Sequence, residues 1–419
     1  MNSENARTPR PQLAEATPAP AGAATPAELA LDGAEALLAG RSRLPNVGTT
    51  IFTVMSALAA RTGAINLGQG FPDFDCDPAL VDAVSAAMRA GHNQYPPMTG
   101  VPALRQAVAD KIALTSGHRY DADSEITITA GATQAILSTV LALVHPGDEV
   151  FVFEPCYDSY GPSISLAGGT TVRVPLTPGS WRPDFDAFEQ ALTPRTRLVI
   201  VNTPHNPSGT VWTGAERARL AELLRPTRTL VLSDEVYEHM VFDDVAHASF
   251  AGLPELAQRG VVVSSFGKTF HVTGWKVGYV AAPAALTREF RKVHQFNVFT
   301  VNTPMQHGLA SFLANPVHWQ SLAPFYQSKR DRFRAGLAGT ALTLLPCEGT
   351  YFQCVDYSAL SDLGDLAYCE RLATEVGVAA IPMSAFHEQA PDLRVIRFCF
   401  AKKEATLDEA LRRLQALKA

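Results

Sequence analysis

The sequence predicts an α/β protein built on a mostly parallel sheet, with a smaller α+β unit following it. Three observations lead there. Between about residues 95 and 310, short apolar runs alternate with helix-like segments. Those runs are apolar throughout, as strands covered on both faces are. From about residue 311 the pattern changes to two strand-like and two helix-like segments.

In chain order, "EITIT" (125–129) reads as a strand and leads into the helical "ATQAILSTVLALV". "DEVFVF" (148–153), "RLVIVN" (197–202), "TLVLSD" (229–234), "GVVVSSF" (260–266) and "VGYVAAP" (277–283) are the next strand candidates. In the later unit "FYQSKRDRFRAGLAGT" reads as a helix, "GTYFQCVDY" and "LRVIRFCFA" as strands, and "TLDEALRRLQALK" as a closing helix. The resulting division is an extension over 1–40, an arm and part of the small domain over 41–75, a large domain over 76–310 and a small domain over 311–419. The extension, with "ATPAPAGAATPAE", has no core-forming pattern and is expected to be disordered, save for a helical stretch in "AELALDGAEALLAG". Its acidic residues, Glu4, Glu15, Glu28, Asp32 and Glu35, make a transit peptide the weaker reading.

Composition narrows the function. The 419 residues carry a formal net charge of −6, which gives no reason to expect nucleic acid or an anionic membrane as a partner. No apolar run reaches the ~18 residues that span a bilayer. The six cysteines, Cys76, Cys156, Cys347, Cys354, Cys369 and Cys399, form no Cys-x-x-Cys pair, and no apolar leader opens the chain. They read as reduced thiols of a cytoplasmic protein with no metal centre.

Ligands of parallel sheets bind at the carboxyl ends of the strands, and polar residues collect there. Asp234 ends "LVLSD", and a carboxylate in that position needs a cation or donors. Tyr237 follows three residues on. "NTPHNPSG" (202–209) is a turn-rich loop that holds Asn206 between His205 and Pro207. In "TAGATQAI" (129–136) a strand ends and a helix begins, so free N–H groups beside Ala132 and Thr133 suit a phosphate. "LGQGFPDF" has Gly68 and Gly70 but lacks the third glycine of a dinucleotide fingerprint. "SSFGKTFHVTGWKVGY" (264–279) places Lys268 and Lys276 just past a buried strand, with Ser265 between strand and lysine. A phosphate binder, a carboxylate for a ring cation, donors for a phenolate oxygen and a lysine for an aldehyde together describe pyridoxal phosphate.

With these parts in place, the chain resembles the class I/II aminotransferases of fold type I, from about Leu44 to the C-terminus. "GTTIFTVMSALA", "LGQGFPDFD", "NQYPPMTGVPALR", "TAGATQAI", "NTPHNPSGTVW", "SDEVYEH", "SSFGKTFHVTGWKVGY", "CEGTYF" and "VIRFCFAKKE" are most similar to the methionine aminotransferase group, which is related to kynurenine and glutamine transaminases. The resemblance implies a seven-stranded sheet, one strand more than the six runs named above. It implies that Lys268 bonds the cofactor aldehyde and later carries the substrate proton. Asp234 would pair with the ring nitrogen, Asn206 and Tyr237 would bind the ring oxygen, and Tyr157 would stack on the ring. Ala132, Thr133, Ser265 and Lys276 would hold the phosphate. Arg397 would take the substrate carboxylate, with Asn206 and Gly70 on the same side. Tyr95 would reach the phosphate of a neighbouring subunit, which makes a homodimer with shared sites the expected assembly. Some relatives carry a hydroxyl residue before the lysine, where this chain has Gly267.

The segment "HQFNVFTVNTP" (294–304) has no Arg or Lys for a distal carboxylate but has Phe296 and Phe299. Phe299 is therefore expected to line a dry pocket for a thioether or aromatic side chain. The expected reaction is transfer of the amino group of methionine, or of other apolar amino acids, to a 2-oxo acid. A kynurenine or glutamine transaminase with β-lyase side activity on cysteine conjugates is the nearest rival. Decarboxylation or racemisation on the same cofactor is more distant, since an arginine for the carboxylate argues for retaining it. A cofactor-sensing regulator would need a DNA-binding module, and the leading residues lack a basic stripe.

Overall fold

The computed structural model describes residues 37, 38 and 40–418. The expected disorder over 1–40 and the helix within it lie almost wholly outside the described residues. The chain divides into a unit ending at Pro45 and a compact unit from Asn46 to Ala419. In the first, the Arg41 amide donates to the Leu38 carbonyl at 2.9 Å. The second unit, from Asn46 on, contains the sheets.

Its centre is a seven-stranded sheet: β2 (Ile126–Thr129), β3 (Glu149–Glu154), β4 (Thr170–Pro175), β5 (Thr196–Asn202), β6 (Leu230–Asp234), β7 (Gly260–Ser265) and β8 (Gly278–Ala281). The label β1 is kept for the pair Ile65–Asn66. The order across the sheet is β2-β8-β7-β6-β5-β3-β4. β8 runs against both of its neighbours and the other pairings are parallel. All six expected strands are present. The seventh, β4, is the edge strand that sequence reading did not pick out. "TTVRVP" has few apolar residues and ends in proline, and its side chains are only partly covered. Some of the helices are started by a side-chain cap. For example, the helix Gly214–Leu224 begins with a reciprocal capping box between Thr213 and Glu216.

Register brings the strand ends to one level. Asn202 of β5 is opposite Asp234 of β6. Ser265 of β7 and Thr129 of β2 both face Gly278 of β8. With strands ~4.8 Å apart, these positions form a row along one edge of the sheet. Gly278 is required there. A Cβ on it would lie 2.6 Å from the Ser264 carbonyl and 3.2 Å from the Ala132 amide nitrogen.

The second sheet is antiparallel, with β9 (Thr343–Leu344), β10 (Phe352–Asp356), β12 (Ile381–Pro382) and β13 (Val395–Cys399) in the order β12-β13-β10-β9. β1 pairs in parallel with β11 (Val378–Ala379). The Cys399 amide then donates to the Leu67 carbonyl at 2.7 Å. These bonds place the Gly68–Phe71 segment against β13.

Behind the strand ends lies a buried ion pair. Lys111, on the helix Pro102–Ser116, donates to Glu238 at 2.6 Å and to the Tyr279 hydroxyl at 2.7 Å. Tyr279 and Ser264 in turn donate to the other Glu238 oxygen at 2.9 and 2.7 Å. Burial alone would raise the Glu238 pKa, but the Lys111 charge, the nearby His239 and the hydrogen bonds from Lys111 and Ser264 together outweigh it and hold the carboxyl well below its usual range. A depressed folded-state pKa stabilises the fold above the ordinary glutamate range, and that contribution is lost in acid. Glu238 directly follows Tyr237, so the pair also fixes that turn. Lys111→Met leaves a buried carboxylate unpaired and is expected to cost about 3–5 kcal/mol, read from denaturant unfolding.

Candidate active site

The row of strand ends opens onto a cavity of about 300 Å³, at the small end of the range for small-molecule sites. Ala132, Thr133, Tyr157, Asn206, Asp234, Tyr237, Ser265, Lys268, Lys276, Gly70 and Arg397 all line it. Residues 200 to 330 positions apart in sequence thus meet in one space. Tyr95 and Phe299 do not join them. They lie edge to face, with centroids 5.4 Å apart, and are 81% and 44% exposed. Within one chain Phe299 therefore lines no substrate pocket. Phe52, Phe71, Ile136 and Phe352 supply the apolar wall instead.

At one end of the cavity the helix Gly131–Leu143 starts directly after β2 and has no side-chain cap. Its first N–H groups and dipole favour an anion. The Lys276 ammonium lies beside Gly131, 3.4 Å from where a Cβ would stand. Ser265 and Thr273 border the same end. A Cβ on Gly267 would come within 2.9 Å of the Thr273 Cα, so packing excludes the hydroxyl residue that some relatives carry there.

Asp234 sits in the middle, fully buried at the end of β6. The Tyr160 hydroxyl donates to its Oδ2 at 2.7 Å. Burial pushes the carboxyl up to about 6, although Tyr160 and the Val236 amide pull it down. Tyr160 was not legible in sequence, because "EPCYDSY" offers two tyrosines and only the turn decides which one points at the aspartate. Tyr157 lines the cavity, with its hydroxyl 3.5 Å from that of Thr133.

The loop after β5 is held by internal polar contacts. The Asn202 side chain donates to the Asp234 carbonyl at 2.9 Å and accepts from the Asn206 amide at 2.7 Å. His205 is held neutral: burial pushes it down to about 4. Its Nε2 is 3.1 Å from the Pro155 carbonyl and must donate, so Nδ1 accepts from Ser208 at 2.6 Å.

Arg397 is 1% exposed, in the centre of β13. It donates to the Asn206 Oδ1 at 2.5 Å and to the Gly68 carbonyl at 3.2 Å. Arginine only donates, so the Asn206 oxygen must face it and the amide nitrogen is left as a donor. The guanidinium lies 3.8 Å from the Phe352 ring centroid and 4.9 Å from that of Phe386. Its buried Nε has no partner. Two of five N–H groups are engaged, which leaves donors for a planar anion.

Lys268 Nζ donates to the Tyr351 hydroxyl at 3.0 Å and to the Gly70 carbonyl at 3.3 Å. Burial pushes its ammonium down to about 8; Arg397 and Lys276 push the same way, against Cys399 and Asp234. Tyr351 is the second residue that sequence reading missed. "GTYF" marked a strand, and nothing local says that its tyrosine meets the lysine.

A sequence profile for the family described as aminotransferase class I and II matches residues 62–414. The methionine aminotransferase of Escherichia coli K12 is 53% identical, covering 90% of this chain and 98% of that protein. A solved E. coli structure described as a methionine aminotransferase superposes with a TM-score of 0.89 over 90% of this chain and 99% of its own. A probable N-succinyldiaminopimelate aminotransferase of Mycobacterium tuberculosis is 43% identical over 90% of this chain and 98% of its own. A kynurenine–oxoglutarate transaminase of Dictyostelium discoideum is 34% identical over 88% of this chain and 94% of its own.

Proposed function

Because the chain belongs to the class I and II aminotransferases, we propose that it moves the amino group of methionine, and of aromatic or other apolar amino acids, to a 2-oxo acid. The observation that carries the substrate class is Arg397, a buried guanidinium with unspent donors and an apolar wall beside it. Of the cations that line the cavity, Lys276 serves an anion at the helix end and Lys268 serves the chemistry. That leaves Arg397 for one carboxylate, and Phe52, Phe71, Ile136 and Phe352 for an apolar side chain.

Pyridoxal phosphate fits this set of groups. Asp234 is a carboxyl that burial drives up to about 6, and a ring cation beside it restores its charge. Lys276, Ser265, Thr133 and the Ala132 amide suit the phosphate, Tyr157 the ring face, and Tyr237 and the Asn206 amide nitrogen the ring oxygen. When bound, the cofactor supplies the electron sink that makes the substrate Cα proton removable. The chain's own residues do the rest. Arg397 binds and orients the carboxylate, the aromatic wall excludes water, and Lys268 Nζ would move the proton between the substrate Cα and the cofactor C4′. Both half-reactions use the same arginine, so donor and acceptor alternate in one site.

The working assembly is a homodimer in the cytoplasm, in which Tyr95 reaches the neighbour's phosphate. Exposure of Tyr95 and Phe299 side by side, with Phe296 also exposed, supports it. In this reading residues 76–310 are the large cofactor-binding domain, 41–75 an N-terminal arm and part of the small domain, and 311–419 the small C-terminal domain.

A donor panel tests the reading. The purified protein is expected to be yellow and to bleach with methionine. Methionine should exceed aspartate, kynurenine and N-succinyldiaminopimelate by at least about tenfold in kcat/KM, since one such difference in side-chain fit is worth ~1–3 kcal/mol. Kynurenine outranking methionine, with pyruvate released from cysteine conjugates, would move the chain to the rival group.

A further inference from the structure

We propose that Tyr351 aims the amine of Lys268, holding its N–H groups so that the nitrogen lone pair is left for the substrate proton. The inference rests on reading Lys268 as the proton carrier.

The argument is one of donors and acceptors. Tyr351 has one hydroxyl proton, and its oxygen is 2.6 Å from the Gly70 carbonyl. A carbonyl cannot donate, so that proton belongs to Gly70. The tyrosine oxygen therefore meets Lys268 Nζ, 3.0 Å away, as an acceptor. Gly70 accepts a second time from Lys268 at 3.3 Å. A neutral lysine amine has two N–H bonds and one lone pair. Both N–H bonds are taken by this pair of oxygens, so the lone pair occupies the remaining tetrahedral position. Nothing else hydrogen-bonds Lys268 Nζ among the described residues.

The surroundings keep this polarity fixed. Tyr351 is fully buried, edge to face with Tyr237 at 5.2 Å and with Phe352 at 4.8 Å. Burial pushes its phenol well above the usual value, so it stays a neutral hydroxyl. Lys268 Nζ lies to one side of the Tyr237 and Tyr351 rings, 5.6 and 5.7 Å from their centroids. The contact also ties the amine to the Gly68–Phe71 segment that borders the cavity. Lys402 fixes that segment from the other side, donating to the Phe71 carbonyl at 2.8 Å.

Tyr351→Phe removes the acceptor and keeps the ring. In the holoenzyme, kcat and the exchange of the methionine α-proton with solvent are expected to fall together by about tenfold, with KM changed less than about threefold. A second readout needs no turnover. In the apo protein, the pH dependence of Lys268 acylation, followed by peptide mass spectrometry, should shift to lower pH. An acceptor stabilises the ammonium more than the amine, and its loss favours the neutral form. A purely structural role would leave that titration in place. Unchanged kcat and unchanged titration overturn the proposal, as does a loss confined to KM and cofactor retention. If the variant does not fold, the wild-type apo protein decides: a lysine 15Nζ spectrum must show contact between Lys268 Nζ protons and the Tyr351 ring, and its absence overturns the proposal. Full turnover in Lys268→Ala would instead overturn the function reading itself. An inactive Lys268→Ala with an unaffected Tyr351→Phe removes only this inference.

Discussion

Lys268→Ala should bind pyridoxal phosphate and lose turnover with methionine by about 10⁴-fold, the upper end for loss of a positioned acid–base group. The expectation follows from what burial does to the amine. An ordinary lysine, with a pKa near ~10.4, is neutral in about one molecule in 2,500 at pH 7; at about 8 the fraction is about one in ten. The fold thus supplies a free base at neutral pH by taking the ammonium out of water and setting Arg397 and Lys276 near it. The remaining parts of the site do not depend on Lys268. Asp234 is held by Tyr160, and Lys276 by its own position next to the helix start. Cofactor affinity is therefore expected to fall far less than turnover. Borohydride reduction separates the two: it should fix the cofactor to the wild-type chain at Lys268 and to no residue of the variant. Turnover within tenfold of wild type would sink the assignment.

The cavity has an electrostatic pattern that accounts for both shifts. Asp234 is pushed up and Lys268 is pushed down, each mainly by burial. A protein that gained stability from these groups would have paired them with one another. Here the nearest partners are a neutral tyrosine for Asp234 and a tyrosine and a carbonyl for Lys268. Such arrangements are found where a bound group completes the charges, which is why the donor set points to a zwitterionic cofactor and an anionic substrate.

Much of this was legible in the sequence because it is local. Asp234, Ser265 and the Ala132–Thr133 turn each sit where an apolar run stops, and parallel strands put such stops at one edge. Lys268 and Lys276 stood out because charge next to a buried strand is costly. Arg397 stood out for the same reason, inside "VIRFCF". What escaped were residues whose local signal is ambiguous. Tyr160 and Tyr351 look like core aromatics until the turn and the second sheet set their directions. Lys111 and Glu238 look like a helix lysine and a turn glutamate, and they pair across 127 positions of chain. Phe299 was expected in the pocket on the strength of its neighbours' chemistry. It lies on the surface beside Tyr95, since the helix Ala284–Asn297 ends before it and its backbone takes φ 68°. β4 was missed because an edge strand needs less apolar surface than a central one.

Arg397→Ala is the second large expected effect, and its size rests on how little else can serve the carboxylate. The guanidinium sits over the Phe352 ring, 3.8 Å from its centroid, and 4.9 Å from that of Phe386, and Asn206 and Gly68 fix two of its N–H groups. It is thus oriented before substrate arrives, and little rotamer entropy remains to be lost on binding. Truncation leaves the incoming carboxylate facing Phe52, Phe352 and Phe386 with no charged donor. Removing one partner of a buried, hydrogen-bonded charge pair costs about 2–5 kcal/mol, so kcat/KM should fall by about 30- to 5,000-fold. The loss should appear with methionine and with the oxo acid alike, because one site serves both. Arg397→Lys is expected to recover only a part, since an ammonium cannot form the two parallel bonds or lie flat on Phe352. Cofactor binding should be nearly unchanged, as the phosphate and Asp234 contacts are made elsewhere in the cavity. A variant that lost activity with the amino donor and kept it with the oxo acid would contradict a shared carboxylate site. So would a lysine variant as active as wild type, because a point charge would then suffice where the geometry provides a planar fork.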